Sequence, residues 1–430
     1  MKRIILTLTS LVITVQADWK QWRGPTGQGH ANANLPIEWN EKKNIKWRTT
    51  IPGKGWSSPV IEGNQVWMTT AFETVASEEE RRERLKKNTG GVPVHVLSSV
   101  RLNAVCVDKQ NGKLLHNIEV IAKKQPQWVH KLNSYASPSP IIESGRVYCH
   151  FGAYGTVCVD AKTGKIAWRN DKVWVMHENG PGSTPVLWKD LLIFHMDGSD
   201  QQFVVALDKA TGKERWRTKR SGKMHDNHQL KKSYGTPVLR EVDGKPVLLS
   251  PGSNWLYAYN PATGKELWKV EYGGLGFSLV PRPVTGHGMI FMSTGFMRAK
   301  LLAVRYEKTA KPDIAWSYSR SVSTQPSPLL VGDELYFITE SGGLVTCLNA
   351  HTGEKHWVER IGGNYSSSPT FASGKIYFHS REGETTVLQA GKTFKELAKN
   401  KLDGQHMASA AVDSDALILR TDKALYRIEK

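Results

Sequence analysis

The chain has 430 residues, of which 39% are hydrophobic and 15 are tryptophan, and its 58 Lys and Arg against 40 Asp and Glu give a net charge of +18. This composition is typical of a large packed interior and excludes an intrinsically disordered chain. No basic tract is interleaved with aromatic residues, so we expect no nucleic-acid partner and attribute the charge to a solvated surface or to peripheral contact with anionic surfaces.

Residues 1–17 are predicted to be a signal peptide. Lys2 and Arg3 precede a short apolar run, and residues 15–17 form a small-x-small cleavage pattern. The run is shorter than the roughly 20 apolar residues that a spanning helix needs, and no later stretch approaches that length, so we expect no transmembrane segment. The sequence therefore predicts an exported protein, periplasmic or secreted, without a cysteine that could carry a lipid at the cleavage site. An uncleaved membrane anchor is the alternative.

Residues 18–43 are assigned to an N-terminal extension, and residues 44–430 are repetitive. A turn motif recurs at intervals of about 50 residues, which is the mark of a repeat architecture. Its clear copies are DKQNGKLLH (108–116), DAKTGKIAW (160–168), DKATGKERW (208–216), NPATGKELW (260–268) and NAHTGEKHW (349–357). The Asp or Asn is expected to form an Asx-turn, and the Gly to supply the positive φ of a bulged hairpin. The aromatic position that follows, most often Trp, can then pack on the next repeat.

Each repeat holds four short predicted strands. The first begins at a Ser-Pro or Thr-Pro pair, and the next two alternate apolar and polar residues between turn residues, as antiparallel strands do. Third strands fall near residues 105, 157, 205, 257, 303, 346, 387 and 426. Four strands repeated radially make a β-propeller. The sequence therefore predicts an all-β, eight-bladed propeller of four-stranded antiparallel blades.

The last blade and the first blade depart from this pattern. The last repeat (409–430) stops after its third strand, and the segment KWRT (46–49) resembles the fourth-strand sequence WRTK (216–219). We therefore expect the N-terminal strand to pair with the last blade and close the ring, which removes an exposed edge. The first blade carries an insert at 71–100, whose charged centre (77–87) predicts a helix with acidic residues first. This insert is either a flap over one face or a solvated excursion.

Four cysteines are present, and three of them occupy the same place in three repeats. Such positions lie too far apart to bridge, so we interpret all four as small buried hydrophobes. They are Cys106, Cys149, Cys158 and Cys347.

The repeat LYAYNPATGKELW (256–268) resembles the quinoprotein-type (PQQ-like) propeller repeat, and the opening DWKQWRGPTGQG (18–29) resembles that of exported proteins similar to the BamB family of outer-membrane assembly factors. The resemblance implies the propeller fold and, from the BamB side, a protein-binding role. Quinone-dependent alcohol dehydrogenases of this fold carry adjacent cysteines beside the cofactor and a Ca²⁺ site. This chain has no adjacent cysteines, and we match no Ca²⁺ ligand set. PQQ and Ca²⁺ are therefore expected only under an alternative, enzymatic interpretation, and otherwise no cofactor is expected.

Candidate ligand-binding residues follow from strand direction. Loops between strands two and three share one face with the blade-to-blade connections, and we call this the loop-rich face. His150, His195 and His379 end the second strand in three blades, so we expect them around the mouth of the central channel. The predicted ligand-binding set is His130, Tyr135, His150, His177, His195, Asp197, Trp255, His379, Arg381, His406 and Arg420. Polar residues that merely fill a water-lined channel are the alternative.

Metal-binding signals are weaker. His225 and His228 form a His-x-x-His pair in a predicted loop, which binds metal only if the backbone aims both rings together. Aromatic residues in loops of the same face suit stacking on a sugar, a quinone or a peptide. They include Trp128, Trp174, Phe277 and Phe296.

These patterns favour an exported, non-catalytic binding or scaffolding propeller of the bacterial cell envelope. Its partner would be an envelope protein or peptide, recognised at a strand edge or on the loop-rich face. Two alternatives stay open. One is a PQQ-dependent dehydrogenase, in which Ca²⁺ polarises the quinone. The other is a propeller that binds a small ligand or a carbohydrate.

Overall fold

The computed structural model describes residues 18–88, 91, 93–274, 277–307, 309 and 311–430. The predicted signal peptide, residues 1–17, lies outside the described residues. Eight four-stranded antiparallel sheets form the blades of a β-propeller, which confirms the predicted fold class. The first strands of neighbouring blades contact each other, so the first strand of each blade faces the central axis.

The first four blades follow one another along the chain. The strands of blade 1 are Val60–Glu62, Gln65–Val75, Leu97–Asp108 and Leu114–Lys124. Those of blade 2 are Ile141–Glu143, Arg146–His150, Thr156–Asp160 and Ile166–Asn170. Those of blade 3 are Val186–Trp188, Leu191–Asp197, Gln202–Asp208 and Glu214–Lys219. Those of blade 4 are Val238–Val242, Lys245–Gly252, Trp255–Tyr259 and Glu266–Glu271.

The last four blades repeat the same order. The strands of blade 5 are Val284–Gly286, Met289–Ser293, Leu301–Arg305 and Asp313–Tyr318. Those of blade 6 are Leu329–Val331, Glu334–Ile338, Leu344–Asn349 and Lys355–Arg360. Those of blade 7 are Thr370–Ala372, Lys375–His379, Glu384–Gln389 and Glu396–Lys401. Those of blade 8 are Ala411–Asp413, Ala416–Arg420 and Ala424–Ile428, with an outer strand from the N-terminus.

That outer strand is Ile45–Thr50, which pairs antiparallel with Ala424–Ile428. The predicted closure of the ring by the N-terminal strand is therefore confirmed. A second short strand, His30–Ala31, adds to blade 7 by pairing in parallel with Thr370–Ala372, a contact that the sequence did not predict. Both pairings join residues near the start of the chain to residues near its end.

Tryptophan side chains join five of the eight blades to the next blade. The indole Nε1–H of Trp168 donates to the carbonyl oxygen of Lys209 in the turn motif of blade 3, at 3.0 Å. The same bond is repeated from Trp47 to Lys109, Trp216 to Pro261, Trp316 to Ala350 and Trp357 to Gly391, at 3.0–3.1 Å. Each indole thus buries apolar area on the neighbouring blade while its one polar group is satisfied. Trp47 lies in the closing strand, so it extends this fastening to the junction between blades 8 and 1.

The glycine of the turn motif makes this close approach possible. At Gly264 the φ angle is +70°, and a Cβ there would lie 2.5 Å from Cε3 of Trp216. We expect Gly264→Ala to lower the free energy of unfolding by about 1–2 kcal/mol because of the backbone conformation. The collision with the indole should cost about 1–3 kcal/mol more. Urea unfolding followed by tryptophan fluorescence measures both.

Gly244 of the same blade is the matched control. Its φ angle is +72°, and a Cβ there would meet nothing within 4 Å. Gly244→Ala should therefore show only the conformational cost. Equal losses in the two variants would mean that the tryptophan contact does not restrict the turn.

The insert extends blade 1 outward. The predicted helix is confirmed as Glu78–Leu85, with the Ser77 hydroxyl accepting from the backbone N–H of Glu80. Beyond it, Val94–His95 pairs with Val129–His130. Two single-turn 3₁₀ helices, Gly152–Tyr154 and His228–Leu230, are the other described helical segments. The four cysteines are buried and free, which confirms their interpretation as small apolar side chains.

Candidate functional site

Residues 18–29 of the N-terminal extension lie inside the central channel, whereas the residues after them contact blades 7 and 8. The first strand of each blade has one edge free toward the axis, and residues 18–29 pair with several of these edges. The backbone N–H of Ile61 in blade 1 donates to the carbonyl oxygen of Trp19, and that of Ile142 in blade 2 to Lys20, at 2.8 and 2.9 Å. The N–H of Phe371 in blade 7 donates to Gly29 at 2.8 Å. We call residues 18–29 the N-terminal plug.

Side chains of the plug reach further blades. Trp22 Nε1–H donates to the hydroxyl of Ser409 in blade 8 at 3.2 Å, and Arg23 Nη2 donates to the carbonyl oxygen of Pro328 in blade 6 at 2.8 Å. The amide of Gln28 exchanges two bonds with the backbone of Thr285 in blade 5. Six of the eight blades are therefore bonded to the plug, which closes the channel.

A ring of hydroxyl groups surrounds the axis above the plug. In seven blades a Ser or Thr stands two residues before the first strand, and its backbone N–H or hydroxyl bonds the equivalent residue of the neighbouring blade at 2.9–3.1 Å. The members are Ser58, Ser139, Thr184, Thr236, Ser327, Ser368 and Ser409. Blade 5 has Arg282 at this place, where the N–H donates to Ser327 but the side chain offers no hydroxyl. The ring fixes the spacing of the blades at this level.

The ring and the plug form the base of a cavity of about 520 Å³ that opens on the loop-rich face, within the size range of ligand pockets. We call it the central cup. Trp22 forms its floor beside Ser409. Its apolar walls come from blade-to-blade connections and from loops between second and third strands. They are Trp56, Leu132, Pro181, Leu230, Tyr234, Phe277, Val280, Phe296 and Met407.

The polar groups of the central cup are mostly neutral. Besides the hydroxyl ring, the lining includes amide side chains, which are Asn133, Asn179, Asn227, Gln229 and Gln325. The charged or titratable lining residues are Lys232 and His130. Burial lowers the pKa of Lys232 to about 8, and burial also lowers the pKa of His130. No Asp or Glu is among the described residues that line the central cup.

The rim of the central cup is apolar and exposed. Leu132 is 44% exposed, Val280 37% and Phe296 58%, and the ring of Phe296 packs edge-on against Phe277 at 6.3 Å between centroids. No described residue of the insert 71–100 lines the central cup. Exposed apolar side chains around a polar-based cavity are typical of a surface that binds another molecule.

A second cavity, of about 920 Å³, lies between the plug and the first strands of blades 2–4. Its lining is largely charged or polar, with Asp18, Lys20, Glu143, Arg240 and Arg282 around the backbone of the plug. This cavity lies on the side of the plug that faces away from the central cup.

Of the eleven predicted ligand-binding residues, His130 alone lines the central cup among the described residues. The three equivalent histidines do hold one place, as predicted, but that place is inside the blades. His150 bonds the hydroxyl of Thr156 at 2.9 Å, His379 that of Thr385 at 2.9 Å, and His195 that of Ser250 at 3.0 Å. Each is 1% exposed. Loops leading to the first strands cover the ends of the second strands, so these histidines do not surround the channel mouth.

The remaining predicted residues do not line the central cup, and most of them bond other parts of the fold. Asp197 forms a fully buried ion pair with Arg220 at 2.8 Å. His177 Nε2 accepts the backbone N–H of Ala153 at 3.0 Å, and His406 packs edge-on against His379. Three further side chains bond backbone carbonyl oxygens, namely Tyr135 to Gln127, Trp255 to Lys223, and Arg420 to Ser57 and Thr69.

Arg381 contacts a residue that lines the central cup. Its Nε donates to the hydroxyl of Ser366, a lining residue, at 2.8 Å. Arg381 therefore positions part of the wall rather than offering its own charge to the cavity.

His225 and His228 lie in the loop that includes the 3₁₀ turn His228–Leu230. The backbone N–H of Asn227 donates to Nδ1 of His225 at 3.0 Å. Among the described residues, neither histidine belongs to a group of three possible metal ligands. Metal binding by His225 and His228 therefore stays a prediction, with no third ligand among the described residues.

Eight four-stranded blades joined by tryptophan–turn contacts define a quinoprotein-type, or PQQ-like, propeller. A family model described as "Outer membrane protein assembly factor BamB" matches residues 32–218 and 200–430. These matches span most of the chain, which therefore belongs to this family. No helix of the described residues is long and apolar enough to cross a membrane.

Solved structures share the fold at low sequence identity. BamB from Moraxella catarrhalis is 13% identical, with 78% of this chain and 95% of that chain covered and a TM-score of 0.54. Quinohemoprotein alcohol dehydrogenase from Comamonas testosteroni is 10% identical, with coverages of 95% and 80% and a TM-score of 0.59. A europium-containing methanol dehydrogenase is 10% identical, with coverages of 96% and 89% and a TM-score of 0.52. A search of curated protein sequences gave no match.

The dehydrogenase neighbours raise the question of whether the central cup fits a Ca²⁺-bound quinone. Ca²⁺ takes about 6–8 oxygen ligands, which usually include carboxylates. The described lining of the central cup contains no carboxylate. PQQ itself carries several carboxylate groups, and Lys232 is the one lysine or arginine among the described lining residues. The cysteines are free and none lines the cavity. The residues present do not fit this cofactor.

Proposed function

We propose that this chain is a non-catalytic binding propeller of the cell envelope, and that its central cup holds an extended segment of another polypeptide. The observation that carries this proposal is a cavity with a closed floor, neutral hydrogen-bonding groups at its base and an exposed apolar rim. A side chain of the bound segment would enter the central cup, while flanking residues would lie on Leu132, Val280 and Phe296.

The chemistry of the lining supports a peptide. Amide and hydroxyl groups can donate to and accept from a peptide backbone, and aromatic walls bury an apolar side chain. The fixed hydroxyl ring and the tryptophan floor are formed before binding, so little conformational entropy is lost in the protein. Among the described lining residues, no carboxylate could act as a general base beside Lys232 or His130.

The predicted export of the chain and its family support an envelope location. The family description names outer-membrane protein assembly, and the basic net charge of +18 suits peripheral contact with anionic surfaces. We infer that the partner is an exported polypeptide.

A charged residue on the rim should weaken binding. Selection of random peptides on the immobilised protein is expected to enrich sequences with an aromatic or large aliphatic residue. Phe296→Asp should lose these peptides, with affinity lowered by at least about tenfold, because a hot-spot aromatic contributes about 2 kcal/mol or more. Calorimetric titration of an enriched peptide measures the difference.

Leu267→Asp is the matched control. Leu267 is 46% exposed on the outer strand of blade 4 and does not line the central cup. This variant should bind the selected peptides like the unmodified chain. Equal loss in the two variants, or enrichment without any apolar preference, would contradict the proposed site.

A carbohydrate is the second candidate ligand, because the Trp22 indole and the amide side chains could stack on and bond a sugar ring. Thermal-shift measurements with oligosaccharides distinguish the two ligands. A midpoint raised by a sugar and abolished by Trp22→Ala, with no peptide enriched, would favour the carbohydrate.

A further inference from the structure

Two histidines and an aspartate meet on the face opposite the central cup. His287 lies in the turn between the first two strands of blade 5, Asp333 in the corresponding turn of blade 6, and His351 in the turn motif of blade 6. All three residues are exposed, and one ligand atom from each lies within 4.8 Å of the others. The group therefore joins two neighbouring blades through three different turns.

The two distances from Asp333 to the histidines are close to those between ligand atoms around one metal ion. The Oδ1 atom of Asp333 lies 3.0 Å from Nε2 of His351 and 3.5 Å from Nε2 of His287. Ligand atoms at about 2.0–2.2 Å from a tetrahedral ion lie about 3.3–3.5 Å apart, and somewhat closer around an octahedral ion. The Gly332 carbonyl oxygen, 2.9 Å from the same His287 nitrogen, stands beside the group as a further oxygen donor.

The turns that supply these side chains are fixed by the fold. His287 has a φ of +54°, a conformation that the equivalent turns fill with Gly63, Ser144 and Gly332, so the backbone holds the imidazole over the next blade. The rings of His287 and His351 are 4.2 Å apart between centroids. The Oδ1 atom of Asp333 is hydrogen-bonded to Nε2 of His351.

We propose that His287, Asp333 and His351 form a site for a divalent transition-metal ion of the Zn²⁺ class. Two imidazole nitrogens and one carboxylate oxygen are ligands that such ions prefer, and the solvent-facing side leaves positions for water. The ion would link blade 5 to blade 6 on the face away from the central cup. This site is separate from the proposed peptide-binding site, and either can be wrong without the other.

The test uses residues 18–430 prepared without a polyhistidine tag and stripped of metal by a chelator. Calorimetric titration with Zn²⁺ should show one ion per chain. His287→Ala and His351→Ala should each weaken binding by at least about tenfold, as loss of a supporting ligand does. Asp333→Asn, which keeps the shape of the side chain and removes its charge, should weaken it as well. These exposed substitutions should leave the circular dichroism spectrum unchanged.

Cu²⁺ provides a readout of the ligands themselves. The electron paramagnetic resonance spectrum of the Cu²⁺-loaded chain should show hyperfine coupling to two nitrogens, and to one nitrogen in either histidine variant. The control is the double variant His225→Ala with His228→Ala, which removes the other histidine pair and should leave binding unchanged. Zn²⁺ binding that is no tighter in the unmodified chain than in the double variant His287→Ala with His351→Ala overturns the proposal.

Discussion

Lowering the pH from 7 to 5 is expected to reduce the free energy of unfolding by about 6 kcal/mol through three buried histidines. Burial lowers the pKa of His150 and His177 to about 3, and that of His406 to about 4. In the unfolded chain a histidine titrates near pH 6.5, so between these values the unfolded state binds more protons. The contribution of these histidines to the free energy of unfolding is therefore fully present above about pH 6.5. It falls as the pH drops, by about 2 kcal/mol per histidine at pH 5.

This loss is comparable with the whole stability of a typical domain, about 5–15 kcal/mol, so we expect unfolding in mild acid. Burial also lowers the pKa values of His195 and His379, which adds to the effect. The measurement is urea unfolding at half-unit steps between pH 7.5 and 4.5.

Substitutions separate the proton effect from packing. His150→Gln keeps a partner for the Thr156 hydroxyl but cannot take up a proton, so it should reduce the proton uptake on unfolding by about one. Val147→Ala removes buried methyl groups from the same blade, and should lower stability equally at every pH. A slope that is unchanged in His150→Gln would mean that this histidine is not held neutral by burial.

A chain that begins at residue 51 is expected not to form a closed monomer. It lacks the outer strand of blade 8, so the backbone groups of Ala424–Ile428 face solvent, and it lacks Trp47, which packs on the turn at Gly112. An exposed strand edge next to a hydrophobic core favours association with other chains. Size-exclusion chromatography with light scattering should show oligomers or aggregates.

A chain that begins at residue 32 is the matched comparison, because it lacks the plug but keeps Ile45–Thr50. It should fold as a monomer with reduced stability, since burial of Trp19 alone is worth about 3–5 kcal/mol. Adding a peptide of residues 18–50 to the shorter chain should restore the monomer. A stable monomer that begins at residue 51 would show that the ring does not need this strand.

The fold was predictable because its main contacts repeat. The Asp…Gly turn and the following tryptophan are local patterns, and the same positions bond in successive blades, as from Trp168 to Lys209 and from Trp216 to Pro261. The closing strand was recognisable since Trp47 copies the position of Trp216. Periodicity thus identified both the blades and their junctions.

The depth of each side chain was not predictable from the repeat. Strand direction correctly placed His150, His195 and His379 at one level. It did not give their distance from the axis, because strand direction does not show how the following loops fold over the strand ends. The Ser-Pro and Thr-Pro pairs predict the starts of the first strands. Since proline holds the preceding residue extended, these pairs were the available signal for the hydroxyl ring.

The plug had the weakest signal. It bonds three blades through its backbone and three through side chains, and its turns at Gly24, Gly27 and Gly29 have positive φ angles. Such contacts leave no periodic pattern, and its partners lie up to several hundred residues away. Trp19 and Trp22 in a short glycine-rich extension were the one hint that this segment is buried. Phe277 and Phe296, by contrast, were found by their aromatic character in loops of the correct face.

Site-specific photo-crosslinking tests the central claim most directly. A photoreactive amino acid replaces Phe296 at the rim of the central cup or, as the control, Leu267 on the outer strand of blade 4, and the chain is irradiated with a selected peptide. We expect a peptide adduct at position 296 that excess unlabelled peptide removes, and none at position 267. Equal crosslinking at both positions, or none at 296 while the peptide still binds, would contradict the assignment of the central cup as the binding site.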